Sequence, residues 1–294
     1  MEGIVFHIVD VFAEALYSGN QLAVVMGRPD DAAMQRIARE MNFSETTFVV
    51  SDIKNDGAYD VRIFTPSQEV PFAGHPVLGT VFVIATHLEK KRPAEMRLNL
   101  KGGCIPVGIS YSSDGGISSL RMRQNPPEFI GGMDRESVAR ALGIGVDSLI
   151  GKLPVERVST GLPFIIVPVR TLEAMRSIKL DIGAYNDLIS DVESKAILAF
   201  CPETYEVDSS LNVRMFAPHY GIAEDPATGS GCGCLAAYLS RHAFFGSGSV
   251  NVRVEQGYEI GRKSILQIEA DSFDDSIVVH VGGKVVQSAM GVLM

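Results

Sequence analysis

Short apolar runs rich in valine and isoleucine recur along the chain, broken by glycine, proline, aspartate and asparagine. Runs of four to eight such residues between turn formers are the signature of strands. The pattern predicts strands over 4–9, 21–26, 46–51, 59–64, 96–100, 105–109 and 117–122 in the first half. In the second half it predicts 164–169, 196–200, 212–216, 250–254, 265–270, 276–281 and 284–289. Helical spacing is rarer and falls at 31–41, 76–88, 134–142, 184–193 and 231–242. The first helix opens after Pro29-Asp30, read as a cap and an early-turn proline.

The order of these elements repeats. Gly19-Asn20-Gln21-Leu22-Ala23-Val24-Val25 has a counterpart in Gly161-Leu162-Pro163-Phe164-Ile165-Ile166-Val167. Val61-Arg62-Ile63-Phe64-Thr65-Pro66 matches Val213-Arg214-Met215-Phe216-Ala217-Pro218 at four of six positions. Each proline is followed by a loop, a glycine with a polar residue after it (Gly74-His75 and Gly229-Ser230), and an apolar helix. Convergent composition does not account for matching loops at matching places, so the chain reads as a duplication. Both helices are apolar over most of their circumference, as expected of a helix wrapped by a curved sheet. The predicted fold is α+β: two pseudo-symmetric domains, each a barrel-like, mostly antiparallel sheet around a central apolar helix. The seam is expected between Met122 and Gly132, giving domains 1–124 and 125–283, with residues 284–294 a candidate strand to rejoin the first domain.

Composition narrows the function. At 294 residues the chain exceeds what a single growing core usually serves. Its net charge of −9 disfavours phosphate backbones and anionic lipid, so neither nucleic acid nor membrane is an expected partner. The start, Met1-Glu2-Gly3-Ile4, lacks a basic region and a long apolar stretch, and the most apolar window, 70–85, carries Pro71, His75 and Pro76. A cytoplasmic protein is expected. Four cysteines are too few and too unevenly spaced for a disulfide framework.

The candidate chemistry lies at the two helix starts. Free N–H groups and the helix dipole make an N-terminus a ready anion site. If the domains pack face to face, Pro71-Phe72-Ala73-Gly74-His75-Pro76 and Glu224-Asp225-Pro226-Ala227-Thr228-Gly229-Ser230-Gly231 would point into one cleft suited to a small carboxylate. Either loop alone could be a glycine turn that merely caps a helix. The Gly229-Ser230-Gly231-Cys232-Gly233 run lacks the strand context and downstream acid of a dinucleotide fingerprint, and no nucleophile elbow or phosphate loop occurs. No H-x-x-x-H or C-x-x-C pair suggests a metal, so no metal is expected. Cys232 and Cys234 read as small core residues, with Cys232 open to some reactivity from its place near a helix start. Glu45, at a helix–strand joint, reads as a rim residue or a catalytic acid, and Asp225 as a cap for the Thr228 or Gly229 amide or a catalytic group.

Taken together, Asn42-Phe43-Ser44-Glu45-Thr46, Phe72-Ala73-Gly74-His75-Pro76, Glu224-Asp225-Pro226-Ala227-Thr228-Gly229-Ser230 and the opening Asp10-Val11-Phe12 with Gly19-Asn20-Gln21-Leu22-Ala23-Val24 resemble the phenazine-biosynthesis PhzF-like family. The resemblance runs over essentially the whole chain and implies the diaminopimelate epimerase fold. Those epimerases carry a cysteine at each helix start; His75 and Ser230 stand at those positions here, which disfavours a two-thiol racemase. The resemblance further implies Glu45 as general acid/base in the isomerisation of a dihydro-hydroxyanthranilate. His75 and Asp225 would assist, Gly74, Thr228, Gly229 and Ser230 would line the site, and a homodimer is implied. A glutamate at its ordinary pKa of about 4.3 is a poor base for a carbon acid, so burial and a neighbouring Asp225 are expected to raise it. The leading expectation is a cofactor-independent isomerase of a small cyclic amino acid-like carboxylate. An amino acid or imino acid epimerase on the same scaffold and a non-catalytic carboxylate-binding protein are the alternatives.

Overall fold

The computed structural model describes Gly3–Asp274 and Ser276–Met294. The chain divides into two compact units, Met1–Arg123 with Gly282–Met294, and Gln124–Val281.

In the first unit the chain forms β1 (Ile4–Val11), β2 (Asn20–Met26), α1 (Asp31–Met41), β3 (Thr46–Val49), β4 (Tyr59–Phe64), β5 (Glu69–Val70), α2 (Gly74–His87), β6 (Glu95–Leu100), β7 (Gly103–Tyr111) and β8 (Ile117–Arg123). The second unit follows with β9 (Glu128–Gly132), α3 (Arg135–Leu142), β10 (Glu156–Ser159), β11 (Pro163–Pro168), α4 (Leu172–Ser177), α5 (Ile182–Ile189) and β12 (Ala196–Cys201). It continues through β13 (Leu211–Ala217), β14 (Ile222–Asp225), α6 (Gly229–Arg241), β15 (Val250–Gln256), β16 (Ser264–Phe273) and β17 (Ser276–Gly283), before β18 (Val285–Leu293) returns to the first unit.

The two units share one strand pairing scheme. In the first, β1 pairs antiparallel with β2, β2 parallel with β3, β3 antiparallel with β4, β4 parallel with β6, and β6 antiparallel with β7. In the second, β10, β11, β12, β13, β15 and β16 pair in the same sequence of senses. Each parallel step requires a crossover. The first crossover carries α1 or α4 with α5, and the second carries the central helix, α2 or α6. β18 lies antiparallel on β1 as β9 lies on β10, so the C-terminal strand supplies in one unit what the strand before α3 supplies in the other.

Packing explains why both central helices are apolar. α2 packs on β1, β2, β3, β6, β7 and β8, and α6 on β10, β11, β15 and β16. From His75 to Val81 every residue of α2 is buried, and so is every residue of α6 from Gly231 to Ser240. Small residues allow this approach: a Cβ on Gly79 would lie 2.6 Å from Leu22 Cδ2, and one on Gly231 would lie 2.7 Å from Leu198 Cδ1. A second apolar cluster in the second unit lies under α3, α4 and α5, centred on Ile165, Val167, Tyr185 and Ile197.

The structure corrects the sequence reading in several places. β5, β9, β10 and β14 fall in stretches read as loops; they are short or rich in Glu and Gly, and their strand character comes from the ladder a neighbouring strand offers. α4 was likewise read as loop. α2 and α6 begin two residues earlier than expected, at Gly74 and Gly229. α5 spans Ile182–Ile189, not 184–193, because Asp181 caps it by accepting from the Ala184 N–H. Pro29 lies outside the first turn of α1, whose N-cap is Asp30.

Candidate active site

The helices differ in how their N-termini are closed. Asp30, Asp134, Thr171 and Asp181 each accept an amide proton from the first turn of α1, α3, α4 and α5. The N-caps of the central helices, Ala73 and Thr228, make no side-chain cap hydrogen bond. An N-terminus without a side-chain cap keeps its dipole and its orphan amides for another acceptor.

At the start of α2 the structure brings Glu45 and His75 together. Glu45 immediately precedes β3, and its Oε2 lies 3.4 Å from His75 Nε2. The histidine side chain is 9% exposed and the glutamate 19%. Burial depresses the His75 pKa to about 4, opposed by a ring hydrogen bond to the Gln21 main chain, so the imidazole is neutral at pH 7. Nε2 makes no hydrogen bond, so that bond uses Nδ1 and leaves Nε2 an unprotonated acceptor facing the carboxyl oxygen. Gly74 is the first residue of the same helix. Beneath it, the Thr80 hydroxyl donates to Thr47 Oγ1 at 2.8 Å, tying α2 to the strand that follows Glu45.

At the start of α6 the structure brings Asp225 and Thr228 together. Asp225 is the last residue of β14, a strand and not the loop read from the sequence, and is 6% exposed. The Thr228 hydroxyl donates to Asp225 Oδ2. Asp225 was read as a possible cap of the Thr228 amide; that N–H donates instead to Gln256 Oε1 at 3.0 Å. Gly229 and Ser230 are the first two residues of α6. Gln256, the last residue of β15, was not singled out from the sequence, because nothing in its immediate neighbourhood marks it.

Each loop is held by the same clamp. Arg62 on β4 donates from Nε and Nη2 to the two carboxylate oxygens of Glu69 on β5, at 2.8 and 3.0 Å. Arg214 on β13 donates in the same way to Glu224 on β14, at 2.9 and 2.7 Å. Each guanidinium also lies over the ring two residues along its strand, Phe64 or Phe216. The guanidinium beside Glu69 holds that carboxyl below the usual carboxylate range. Behind each loop a glycine lies in the turn after the next strand. A Cβ on Gly102 would lie 2.9 Å from the Pro71 carbonyl oxygen, and one on Gly257 (φ +77°) 2.6 Å from that of Pro226. The repeated Val-Arg-x-Phe-x-Pro was the sequence signal for this clamp, but its glutamate partners were visible only in three dimensions.

The thiols are set apart from this chemistry. Cys232 and Cys234 are fully buried, and burial raises both pKa values, that of Cys234 to about 12. The reactivity left open for Cys232 is therefore corrected: desolvation of its thiolate outweighs the helix dipole. Among the described residues no group of three or more His, Cys, Asp or Glu could hold a metal ion, and no helix is long and apolar enough to cross a membrane.

Comparison with known proteins places this geometry. The chain is 36% identical over 291 residues to trans-2,3-dihydro-3-hydroxyanthranilate isomerase of Pseudomonas fluorescens, covering 98% of each chain. The crystal structure of a Bacillus anthracis phenazine biosynthesis protein of the PhzF family superposes with a TM-score of 0.89 at 27% identity, covering all of both chains. A probable proline racemase from Agrobacterium radiobacter shares the fold at a TM-score of 0.65 and 10% identity, over 98% of this chain and 92% of that one. The profile of the family described as phenazine biosynthesis-like protein (PhzC-PhzF) matches residues 9–291. The chain belongs to this family and is one of its isomerases.

Proposed function

We propose that the protein is a cofactor-independent isomerase that moves a proton between carbons of a small cyclic amino acid-like carboxylate, with Glu45 as general acid/base. The observation that carries the reading is the Glu45–His75 pair, 3.4 Å apart at an N-terminus without a side-chain cap. In the reaction Glu45 takes a proton from a ring carbon as the C–H electron pair moves into the conjugated system. Its protonated form exchanges with solvent and then delivers a proton to another carbon, and an enol product relaxes to the ketone. Neutral His75 accepts from protonated Glu45 and so supports the intermediate stage, when the carboxyl group must hold its proton. The amides at the start of α2 would grip the substrate carboxylate and stabilise charge developing on the ring.

The reading takes the P. fluorescens relative's named substrate class as its first candidate. A two-thiol racemase is disfavoured by His75 and Ser230 at the helix starts and by the burial of Cys232 and Cys234. The decisive experiment follows deuterium from heavy water into trans-2,3-dihydro-3-hydroxyanthranilate. Turnover with deuterium at the newly protonated carbon is expected for the wild type, and loss of both for Glu45→Gln. Unchanged incorporation in that variant would overturn the reading.

A further inference from the structure

We propose that Thr47 and Thr80 are positioning residues: their hydrogen bond fixes the register of α2 along β3, and with it the spacing of the Glu45 carboxyl from the His75 imidazole. Its consequence for catalysis rests on Glu45 and His75 working as proposed. Thr80 is the only polar side chain between His75 and Ile84. It donates to Thr47 Oγ1 at 2.8 Å, and both threonines are fully buried. Thr47 stands two residues after Glu45, and Thr80 five after His75. Two residues of extended chain span about 7 Å and five of helix rise about 7.5 Å, so the Glu45–His75 contact and the threonine bond are successive rungs between elements that run the same way. Apolar burial is non-directional, whereas a hydrogen bond holds one heavy-atom spacing, so the threonine rung defines the register.

The second unit shows that the fold does not require a polar rung. Thr47 pairs with Ile63 and Leu198 with Met215, and Ile63 and Met215 hold the same place in the repeated Val-Arg-x-Phe-x-Pro. Thr80 and Leu235 are each the sixth residue after the glycine that opens the central helix. The rung positions of the second unit are therefore Leu198 and Leu235, both fully buried. By the same count Glu45 corresponds to Ala196 and His75 to Ser230, which cannot form a carboxyl–imidazole pair. The hydrogen-bonded rung thus accompanies the copy that has the pair. Replacing two buried, mutually bonded hydroxyls by apolar groups of the same shape is nearly neutral in stability, so stability alone does not call for the threonines. Proton transfer does, because a displacement of about 1 Å at a catalytic group can cost about a hundredfold in rate.

The test compares Thr80→Val, which keeps the shape and removes the hydroxyl, with Thr80→Ser, which keeps the hydroxyl and removes a methyl group. In crystal structures of the ligand-free variants, the 3.4 Å separation of Glu45 Oε2 and His75 Nε2 is expected to open beyond about 4 Å in Thr80→Val and to persist in Thr80→Ser. With trans-2,3-dihydro-3-hydroxyanthranilate, Thr80→Val is expected to lower kcat about tenfold with KM changed less than about twofold, and Thr80→Ser to keep kcat within about threefold. Thr47→Val breaks the same bond from the strand and should reproduce Thr80→Val. The double variant Thr47→Val/Thr80→Val strands no hydroxyl, so it should fold and show the same loss. Leu235→Val, at the matching position of the second unit, should leave kcat unchanged. A packing role alone reverses the order, with Thr80→Ser worse than Thr80→Val. That order, an unchanged separation in Thr80→Val, or an equal loss of kcat in Leu235→Val would overturn the proposal. Absence of wild-type turnover would defeat the isomerase reading alone and leave the crystallographic separations to decide the role of the threonines.

Discussion

Phe72-Ala73-Gly74-His75 and Ala227-Thr228-Gly229-Ser230 stand at equivalent places in two copies of one topology, each behind an arginine–glutamate clamp, and their polar groups are treated in opposite ways. At the start of α6 the aspartate, the threonine and a buried glutamine satisfy one another. At the start of α2, His75 Nε2 makes no hydrogen bond and faces Glu45 across 3.4 Å. A saturated network fixes charge and position; a pair with a place for a proton between its members can take one up and release it. Under the proposed function, duplication supplied the same scaffold twice and the side chains specialised one copy for holding and the other for proton transfer.

The largest test of that division is the proton-transfer side. Glu45→Gln should reduce deuterium incorporation into substrate roughly a thousandfold, as expected for loss of a general acid/base, whereas Thr228→Val on the holding side should act mainly on KM. Similar collapses of kcat in both variants would remove the distinction.

The clamps give the next largest effect. Arg214 is 7% exposed and also donates to the Met175 and Ile178 carbonyls. Replacing it with methionine strands a buried carboxylate and should cost about 3–5 kcal/mol in urea unfolding. Arg62 is 25% exposed, and its second partner, Asp31, is 81% exposed, so Arg62→Met should cost only about 1 kcal/mol. Equal losses would show that the clamps are energetically equivalent despite their burial.

His75 should leave a signature in the pH dependence of stability. Its folded pKa is lowered from 6.5 to about 4, so between those values the unfolded chain binds more protons than the folded one. The stability contribution is therefore full above pH 6.5 and is lost as pH falls toward 4, by about 3 kcal/mol in total. Urea midpoints measured across that window should lose this slope in His75→Gln.

The smallest effects separate capped from uncapped helices. Asp134→Ala should destabilise by about 1 kcal/mol and leave turnover unchanged, because its amide partner serves only α3. Ala73→Asp should add about 1 kcal/mol of stability by capping α2 while raising KM, because the new carboxylate competes for the amides the substrate would use. A stabilised variant with unchanged KM would show that those amides do not contact substrate.

The sequence alone determined the elements that recur with period or motif. Valine- and isoleucine-rich runs marked most strands, and two helices apolar all round marked the centres of two wrapped sheets, because such helices have no face to give to water. Val-Arg-x-Phe-x-Pro, occurring twice, exposed the duplication, and the motifs around Glu45, His75 and Asp225 marked them as candidates. Tertiary structure decided what those residues meet. β5 and β14 exist because β4 and β13 offer them a ladder, not because Glu69-Val70 or Ile222–Asp225 favours strand. Gln256 joins Thr228 from 28 residues away, and Glu69 and Glu224 become clamps only once hairpins fold them onto Arg62 and Arg214. The depressed His75 pKa likewise has no local cause, since it comes from the burial that the wrapped sheet imposes. Local pattern encodes which way a segment faces, but hydrogen-bond partners and desolvation depend on chain segments distant in sequence, and only folding brings them together.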